Sequence, residues 1–279
     1  MFNDSTFSIP MPMFVHHADI FWHTNLDTPD KCDPTQMKRG VSLALAASLC
    51  LANADDEDAI KIAQEVYTQA NLRMMRRTQK SIRMLYQYVS VPEKRKALAQ
   101  LYTNIIAYPK LQAHVEAANI KEVKELCKDE ASKAILDKLA EDVYRQAERE
   151  KEKINSFYTI YLRRYNLKEK QFRPSEFYNK ASLLKPKRLF KGPLPRNVLR
   201  EKIGEKDFLW YEKYRKKLEV VPGMGGTYGS KLHEIVNLMD SQRTLLDIRH
   251  IISCEFDETD VEFVLHYAQD LERIGLITF

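Results

Sequence analysis

Glycine is scarce in this chain, with 8 glycines among 279 residues, and half of them lie together at Gly223, Gly225, Gly226 and Gly229. Glycine is the residue that many tight turns and short hairpins require. A chain with so few glycines favours long helices over many short strands. The sequence therefore predicts a mainly α fold.

Paired cysteines and long apolar runs are also missing. Cys32, Cys50, Cys127 and Cys254 are widely spaced and form no Cys-x-x-Cys motif, which argues against a disulfide framework and a zinc knuckle. No stretch reaches the roughly 18 apolar residues of a membrane span, and the first residues do not resemble a signal peptide. We therefore expect a cytoplasmic protein without a membrane partner.

A large excess of one charge is absent as well. The 44 basic and 39 acidic residues leave a net charge of +5, which is too small in a chain of this length to indicate nucleic-acid binding. The basic residues concentrate in two clusters, which we interpret as a solvated helix face and a solvated connector. The first cluster is Arg73, Arg76, Arg77, Lys80 and Arg83, and the second is Lys185, Lys187, Arg188 and Lys191.

The first region, residues 1–54, combines an extended segment with an apolar helix. Pro10 and Pro12 restrict residues 7–15 to a sheet edge or a loop. Asp33 is a suitable helix N-cap, and Pro34 fits the first helical turn. The helix predicted over residues 37–54 is apolar around most of its circumference. Such a helix is normally buried against a larger body.

The second region, residues 55–172, has the pattern of long charged helices. We expect one helix from about Asp55 to Val89, a second from Pro92 to about Ala107, and a third over residues 120–165. Aromatic residues near the end of the third recur at helical spacing, which favours a packing stripe over a base-stacking surface. They are Phe157, Tyr158, Tyr161 and Tyr165.

The last two regions are a connector and a small module. Residues 173–225 are rich in chain breakers and predict an extended connector with a short helical pair over about 196–218. Residues 226–279 predict three helices, beginning near Ser230, Thr244 and Asp257, and a final strand. This outline is winged-helix-like. DNA binding is disfavoured because residues 255–272 contain seven acidic residues and no lysine or arginine.

One histidine is a candidate metal ligand. His23 follows Phe21 and Trp22 and precedes a loop dense in aspartate. A neutral imidazole binds zinc well when another group fixes its tautomer, and the Thr24 hydroxyl and the Asp27 carboxylate are candidates for that role. An ordinary loop histidine is the alternative interpretation.

The segment IPMPMFVHHADIFWHTNLDTPDKCDP, followed by the helix KRGVSLALAASLCLA, resembles the C-terminal end of the di-zinc aminopeptidase family. That family includes bacterial leucyl aminopeptidases and glutamate carboxypeptidase-type enzymes (metallopeptidase clan MH). The resemblance covers about residues 7–54 and implies that His23 ligates one of two zinc ions. It also implies that residues 1–54 are the C-terminal remnant of an α/β zinc-peptidase domain. Asp27 and Thr28 match the motif as loop-shaping or imidazole-orienting groups, and His16 and His17 match no ligand.

The other zinc ligands of that family, and its glutamate general base, lie upstream of this motif and match nothing in the chain. No catalytic residue is therefore assigned. The resemblance predicts the C-terminal portion of a zinc-dependent metallo-aminopeptidase, a hydrolase that cleaves N-terminal peptide bonds in proteolysis. Its peptide substrate would bind to a catalytic domain outside this chain, and the isolated chain is expected to be an inactive fragment.

The last region resembles another family. The helices and terminal Gly-Leu-Ile of residues 230–279 are similar to the PqqD-type peptide-binding module, which adds a leader peptide as a strand at a sheet edge. The alternative function is therefore a non-catalytic peptide- or protein-binding or oligomerisation module. The helices of residues 55–172 could gate an active site or form a homo-oligomer interface, and their patterning fits both.

Overall fold

The computed structural model describes residues 4–7, 20–21, 24–195, 197–218 and 225–279. This part of the chain contains ten α-helices and one two-stranded sheet, which confirms the mainly α class. The helices are α1 (Pro34–Ala52), α2 (Asp56–Ser90), α3 (Leu98–Glu122), α4 (Glu130–Arg164), α5 (Glu176–Leu183), α6 (Val198–Ile203), α7 (Glu205–Leu218), α8 (Gly225–Asn237), α9 (Leu245–Glu255) and α10 (Val261–Arg273). None of these helices combines the length and apolar character that crossing a bilayer requires.

Helices α2, α3 and α4 pack against one another as a three-helix bundle. At 35 residues each, α2 and α4 are about 52 Å long at ~1.5 Å per residue. Short 3-10 turns at Pro92–Ala97 and Val123–Leu126 connect them. The Asp56 carboxylate accepts hydrogen bonds from the backbone of Lys128 and Asp129. These bonds place the N-terminal ends of α2 and α4 side by side, so α3 runs antiparallel to both.

The bundle has two packed cores with different side chains. Near the N-terminal end of α2 the core is rich in alanine, which lets the helix backbones approach closely. It includes Ala59, Ala63, Ala113, Ala117, Ala140 and Ala147. Towards the other end the core is aliphatic and aromatic, and the rings of Tyr102 and Tyr158 stack with centroids 3.8 Å apart. Tyr158 thus takes part in packing, as the aromatic spacing predicted.

The bundle's second and third helices have different bounds from those predicted. Helix α3 continues well past Ala107 to Glu122, because the helix accommodates Pro109 in its interior. Helix α4 begins at Glu130 rather than near residue 120, since Asp129 caps it by accepting from the backbone N–H of Ser132 at 2.6 Å. Propensity alone does not reveal this break, which depends on the cap.

Helices α5–α10 build a separate hydrophobic core. Its buried side chains come from every helix of this unit, including the helices predicted as part of a connector; they include Ala181, Leu199, Tyr211, Ile235, Leu245, Phe263 and Leu271. Thr244 caps α9 in a reciprocal capping box with Asp247, as its position predicted. Helix α10 begins at Val261 rather than at Asp257, because Asp260 is its N-cap. Helix α8 begins at Gly225, before the predicted cap Ser230.

The sheet pairs the connector with the C-terminal end of the chain. Strand β1 (Lys187–Arg188) runs antiparallel to β2 (Ile277–Thr278). Gly275 ends α10 with a φ of +75°, a backbone conformation that glycine adopts without strain, so the chain can turn into β2. Strand β1 lies in a lysine-rich stretch with no alternating pattern, and the sequence did not predict it.

Residues 4–7 lie against the same connector. Arg188 donates to the Asp4 carboxylate at 2.9 Å, and both side chains are almost completely buried. The Thr6 hydroxyl accepts from the backbone N–H of Gly192 at 2.9 Å. The N-terminal segment is therefore attached to the α5–α10 unit. The predicted extended segment, residues 7–15, lies outside the described residues from Ser8 onward.

Candidate functional site

The loop that follows His23 is a compact set of turns. The Thr24 hydroxyl donates to the carbonyl of Phe21 at 2.6 Å and accepts from the backbone N–H of Leu26 at 3.1 Å. A 3-10 turn at Pro29–Lys31 follows. Asp33 then accepts from the backbone of Thr35 at 2.7 Å and starts α1, as predicted. The sequence from Thr24 to Pro34 thus fixes its own shape through short-range hydrogen bonds.

The predicted zinc ligand cannot be placed within this loop. His23 lies outside the described residues, as do Trp22, His16 and His17. Thr24, predicted to orient the imidazole, donates its hydroxyl to the carbonyl of Phe21 in the turn. Asp27 is exposed, and within the described part of the chain its carboxylate has no hydrogen-bond partner. Of the two side chains predicted to orient the imidazole, Thr24 and Asp27, Asp27 is therefore the one that remains open to a new contact.

The described residues do not fit a zinc site. Among them, no group of three or more histidine, cysteine, aspartate or glutamate side chains is arranged to hold a metal ion. Catalytic zinc ordinarily has three protein ligands. A zinc ion held through His23 would require ligands from beyond the described residues.

Helix α1 is exposed along its whole length. None of its residues is buried, although its second half, residues 40–52, carries no charge. Val41 is 66% exposed, Leu43 62% and Leu45 57%. Successive residues of a helix are rotated by about 100°, so Leu43 and Leu45 point to nearly opposite sides. The apolar surface therefore surrounds the helix rather than forming one stripe.

A buried polar network joins the bundle to the α5–α10 unit. The Glu258 carboxylate accepts from the Tyr108 hydroxyl at 2.7 Å and from the Asn104 amide at 3.2 Å, and it is paired with Arg249. Arg249 Nε also donates to the carbonyl of Thr259 at 2.6 Å. Since Arg249 is 4% exposed and its Nε and Nη2 are bonded to protein groups, it is not presented to a nucleic acid.

The surroundings of this network shift the pKa values of His250 and Tyr108. Burial, followed by the nearby charge of Arg249, lowers the pKa of His250 to about 4, so this histidine is neutral at pH 7. Its Nε2 lies 3.4 Å from Asn104 Oδ1. Burial and the Glu258 carboxylate raise the pKa of Tyr108 far above its ordinary value. These are properties of a structural junction, because both groups are enclosed and already have protein partners.

The sequence did not predict this junction, although one signal was present. Arg77 falls in register with the buried stripe of α2, three residues after Met74 and four before Ser81. A charged residue at a core position indicates a buried partner. Arg77 Nη2 donates to the carbonyl of Ser253 at 2.5 Å, and its guanidinium lies over the Tyr108 ring. The interpretation of the first basic cluster as a solvated face is therefore wrong for Arg77, which is 8% exposed.

The fold defines a mainly helical protein in which a three-helix bundle is joined through a buried polar network to a second helical unit. Comparison with known proteins adds no relative to this description: no family model, no curated protein and no solved structure matches the chain.

Proposed function

We propose that this chain is the C-terminal portion of a zinc-dependent aminopeptidase, in which residues 1–54 complete an α/β catalytic domain. The observation that supports the proposal is that no residue of α1 is buried. Monomeric proteins rarely expose contiguous apolar patches larger than a few hundred Å². Helix α1 exposes Met37, Val41, Leu43, Leu45, Leu49 and Leu51, each more than half accessible to solvent.

The distribution of these side chains favours enclosure within a domain. A flat partner, such as a second copy or a membrane surface, would cover a single apolar stripe. Leu43 and Leu45 lie on nearly opposite sides of α1, so covering both requires neighbours on several sides. A helix between a sheet and other helices has such surroundings. Burial of each leucine would contribute about 1.5–3 kcal/mol.

In this proposal His23 is the single zinc ligand that the chain supplies. The turns at Thr24–Leu26 and the Asp33 cap tie the residues after His23 to the start of α1. Embedding α1 in a catalytic domain would therefore also position the His23 backbone. Asp27, whose carboxylate is open to solvent, is the candidate to accept from the second imidazole nitrogen.

The experiment that tests this function begins with the native protein. An antibody against residues 230–279 would isolate it from the source cells, and its mass, zinc content and hydrolysis of aminoacyl p-nitroanilides would be measured. We expect a polypeptide heavier than 32.7 kDa that contains zinc and cleaves the substrate. A native protein of 32.7 kDa without zinc would contradict the proposal.

A matched pair of variants assigns the role of His23. In the native protein His23→Ala should abolish most activity and lower the zinc content, with unchanged circular dichroism. The control is His114→Ala, an exposed histidine of α3 whose Nδ1 contacts the Tyr144 hydroxyl. Its substitution should preserve both zinc and activity. Equal activity of the two variants would show that His23 is not a zinc ligand of the active site.

A second candidate function, a non-catalytic interaction module, is favoured by one observation. Residues 55–279 bury their own hydrophobic cores without any contribution from α1. This part of the chain therefore has the packed cores of a binding or oligomerisation unit, to which residues 4–7 add the Asp4–Arg188 ion pair. Sedimentation of the full chain would test oligomerisation, since a monomer at every concentration would restrict this candidate to binding other molecules.

A further inference from the structure

A cleft lies between the bundle and the α5–α10 unit, at the C-terminal end of α9. Its volume is about 650 Å³, which is within the range of small-molecule sites. One wall is formed by consecutive turns of α2 with Arg73, Arg76, Arg77 and Lys80. The opposite walls are largely apolar and come from α3 and from the end of α9; they include Leu111, Val115, Ile251 and Phe256.

The cations of this cleft are only partly neutralised. Arg73 forms a two-pronged pair with the buried Glu116, at 2.7 and 2.5 Å. Lys80 donates to the carbonyl of Phe256 at 3.1 Å. Arg76 has no ion pair or hydrogen bond to any residue that the structure describes. Glu255 is the remaining acid in the lining, so the four cations exceed the acids by two.

Two polar atoms in the cleft wall are buried without a partner. Arg77 Nε has no hydrogen-bond acceptor among the described residues, although Arg77 is 8% exposed. Gln112 Oε1 likewise has no donor. Leaving a buried polar group unsatisfied costs about 1–3 kcal/mol, so the residues of this wall include polar atoms that the described part of the chain does not compensate. Burial, and then the charge of Arg77, lowers the pKa of Lys80, which agrees with an uncompensated positive region.

We propose that this cleft binds an organic anion that carries a carboxylate or a phosphate monoester on an apolar chain. Guanidinium groups match the oxygens of both anions, and Arg76 offers such a group without a partner among the described residues. The apolar walls would bury the chain, while the anionic head would face α2. The cleft involves neither His23 nor α1, so its occupancy is independent of the proposed peptidase.

Isothermal titration calorimetry of the full chain at low ionic strength tests the proposal with four probes: hexanoate, hexyl phosphate, inorganic phosphate and hexanol. We expect saturable binding of hexanoate, hexyl phosphate or both, weakened by added salt. Tighter binding of hexyl phosphate would identify a phosphate ester as the natural head group, and tighter binding of hexanoate a carboxylate. Hexanol and inorganic phosphate should bind at least tenfold more weakly.

The variant Arg76→Gln should weaken binding of the preferred anion about tenfold, the effect of one lost charge-assisted hydrogen bond. Arg76 is exposed, so its replacement should leave the fold intact. Arg83→Gln is the matched control: an exposed arginine on the same helix, two turns further along and outside the cleft lining. It should change affinity less than twofold. Absence of binding by both organic anions would overturn the proposal, as would equal affinity of hexanol, equal affinity of inorganic phosphate, or an unaffected Arg76→Gln variant.

Discussion

Asp4 and Arg188 form an ion pair at 2.9 Å in which the two side chains are 1% and 5% exposed. The residues lie 184 positions apart in the chain. Burial of the Asp4 carboxyl opposes its ionisation, but the hydrogen bonds from Arg188 and Thr6 together outweigh burial and lower its pKa to about 2. The pair therefore fixes the N-terminal segment to the α5–α10 unit at neutral pH.

Asp4→Ala should destabilise the chain by about 3 kcal/mol, because removal of one partner leaves the buried Arg188 without its counter-charge. Urea unfolding followed by tryptophan fluorescence measures the effect. Asp30→Ala is the control, since the Asp30–Lys31 pair is exposed and its loss should have a much smaller effect on stability. Equal effects of the two substitutions would show that the buried pair contributes nothing beyond an exposed one.

Stability should fall as the pH decreases from about 6.5 to about 4, because of His250. Its pKa is about 4 in the folded protein and ordinarily 6.5. Within this interval the unfolded chain binds a proton at His250 and the folded chain does not, so acid favours unfolding. Above pH 6.5 the histidine is neutral in both states and contributes no pH dependence.

The expected loss is roughly 3 kcal/mol over this interval. His250→Gln keeps a polar side chain near Asn104 but cannot titrate, so its unfolding free energy should depend less on pH between 6.5 and 4. Above pH 6.5 the variant and the original chain should show parallel curves, which serves as the internal control. Identical slopes below pH 6.5 would exclude His250 as the titrating group.

Tyr108→Phe should destabilise the fold by about 1 kcal/mol, because it removes the hydroxyl that donates to Glu258 at 2.7 Å inside the junction. Tyr102→Phe removes a comparable hydrogen bond of the same helix, to Asn155 at 2.9 Å, which is exposed to solvent although the Tyr102 ring is partly buried. That variant should cost only a few tenths of a kcal/mol, since water replaces the lost partner. Thermal unfolding of both variants, monitored by circular dichroism, makes the comparison.

Leu45→Gln should leave the stability of the isolated chain within about 0.5 kcal/mol of the original, because Leu45 is 57% exposed. Leu85→Ala should cost about 2–5 kcal/mol, since Leu85 is completely buried in the bundle. In the native protein we expect Leu45→Gln to become destabilising as well, if a catalytic domain encloses α1. Urea titration of the isolated chain and of the native protein measures the effect of Leu45→Gln in each.

The sequence predicts the elements that local chemistry determines. Asp33 caps its helix as expected, and the helices predicted to begin near Asp55 and Thr244 are capped by those side chains, because an N-cap needs only a side chain and the adjacent backbone. Strand β1 could not be predicted, since two residues at Lys187–Arg188 become a strand only by pairing with Ile277–Thr278. Because the two strands are far apart in the sequence, no local pattern indicates that they pair.

The candidate sites also combine features that the local sequence indicates with features that depend on distant residues. The spacing of Arg73, Arg76, Arg77 and Lys80 indicates one helix face, but it does not reveal that α9 lies opposite that face. The junction around Glu258 likewise depends on residues from three separate segments. The predictions for His23 rest on resemblance, because the described structure does not include that residue.

The Asp4–Arg188 pair also determines when residues 4–7 can dock during protein synthesis. A ribosome adds roughly 5–20 residues per second, so Arg188 follows Asp4 by roughly 10–40 s. The three-helix bundle can form from neighbouring segments once Arg164, the last residue of α4, has been added, while residues 4–7 still have no docking surface. Residues 4–7 must therefore wait until Arg188 has been synthesised, and they remain accessible to chaperones and proteases until the connector emerges.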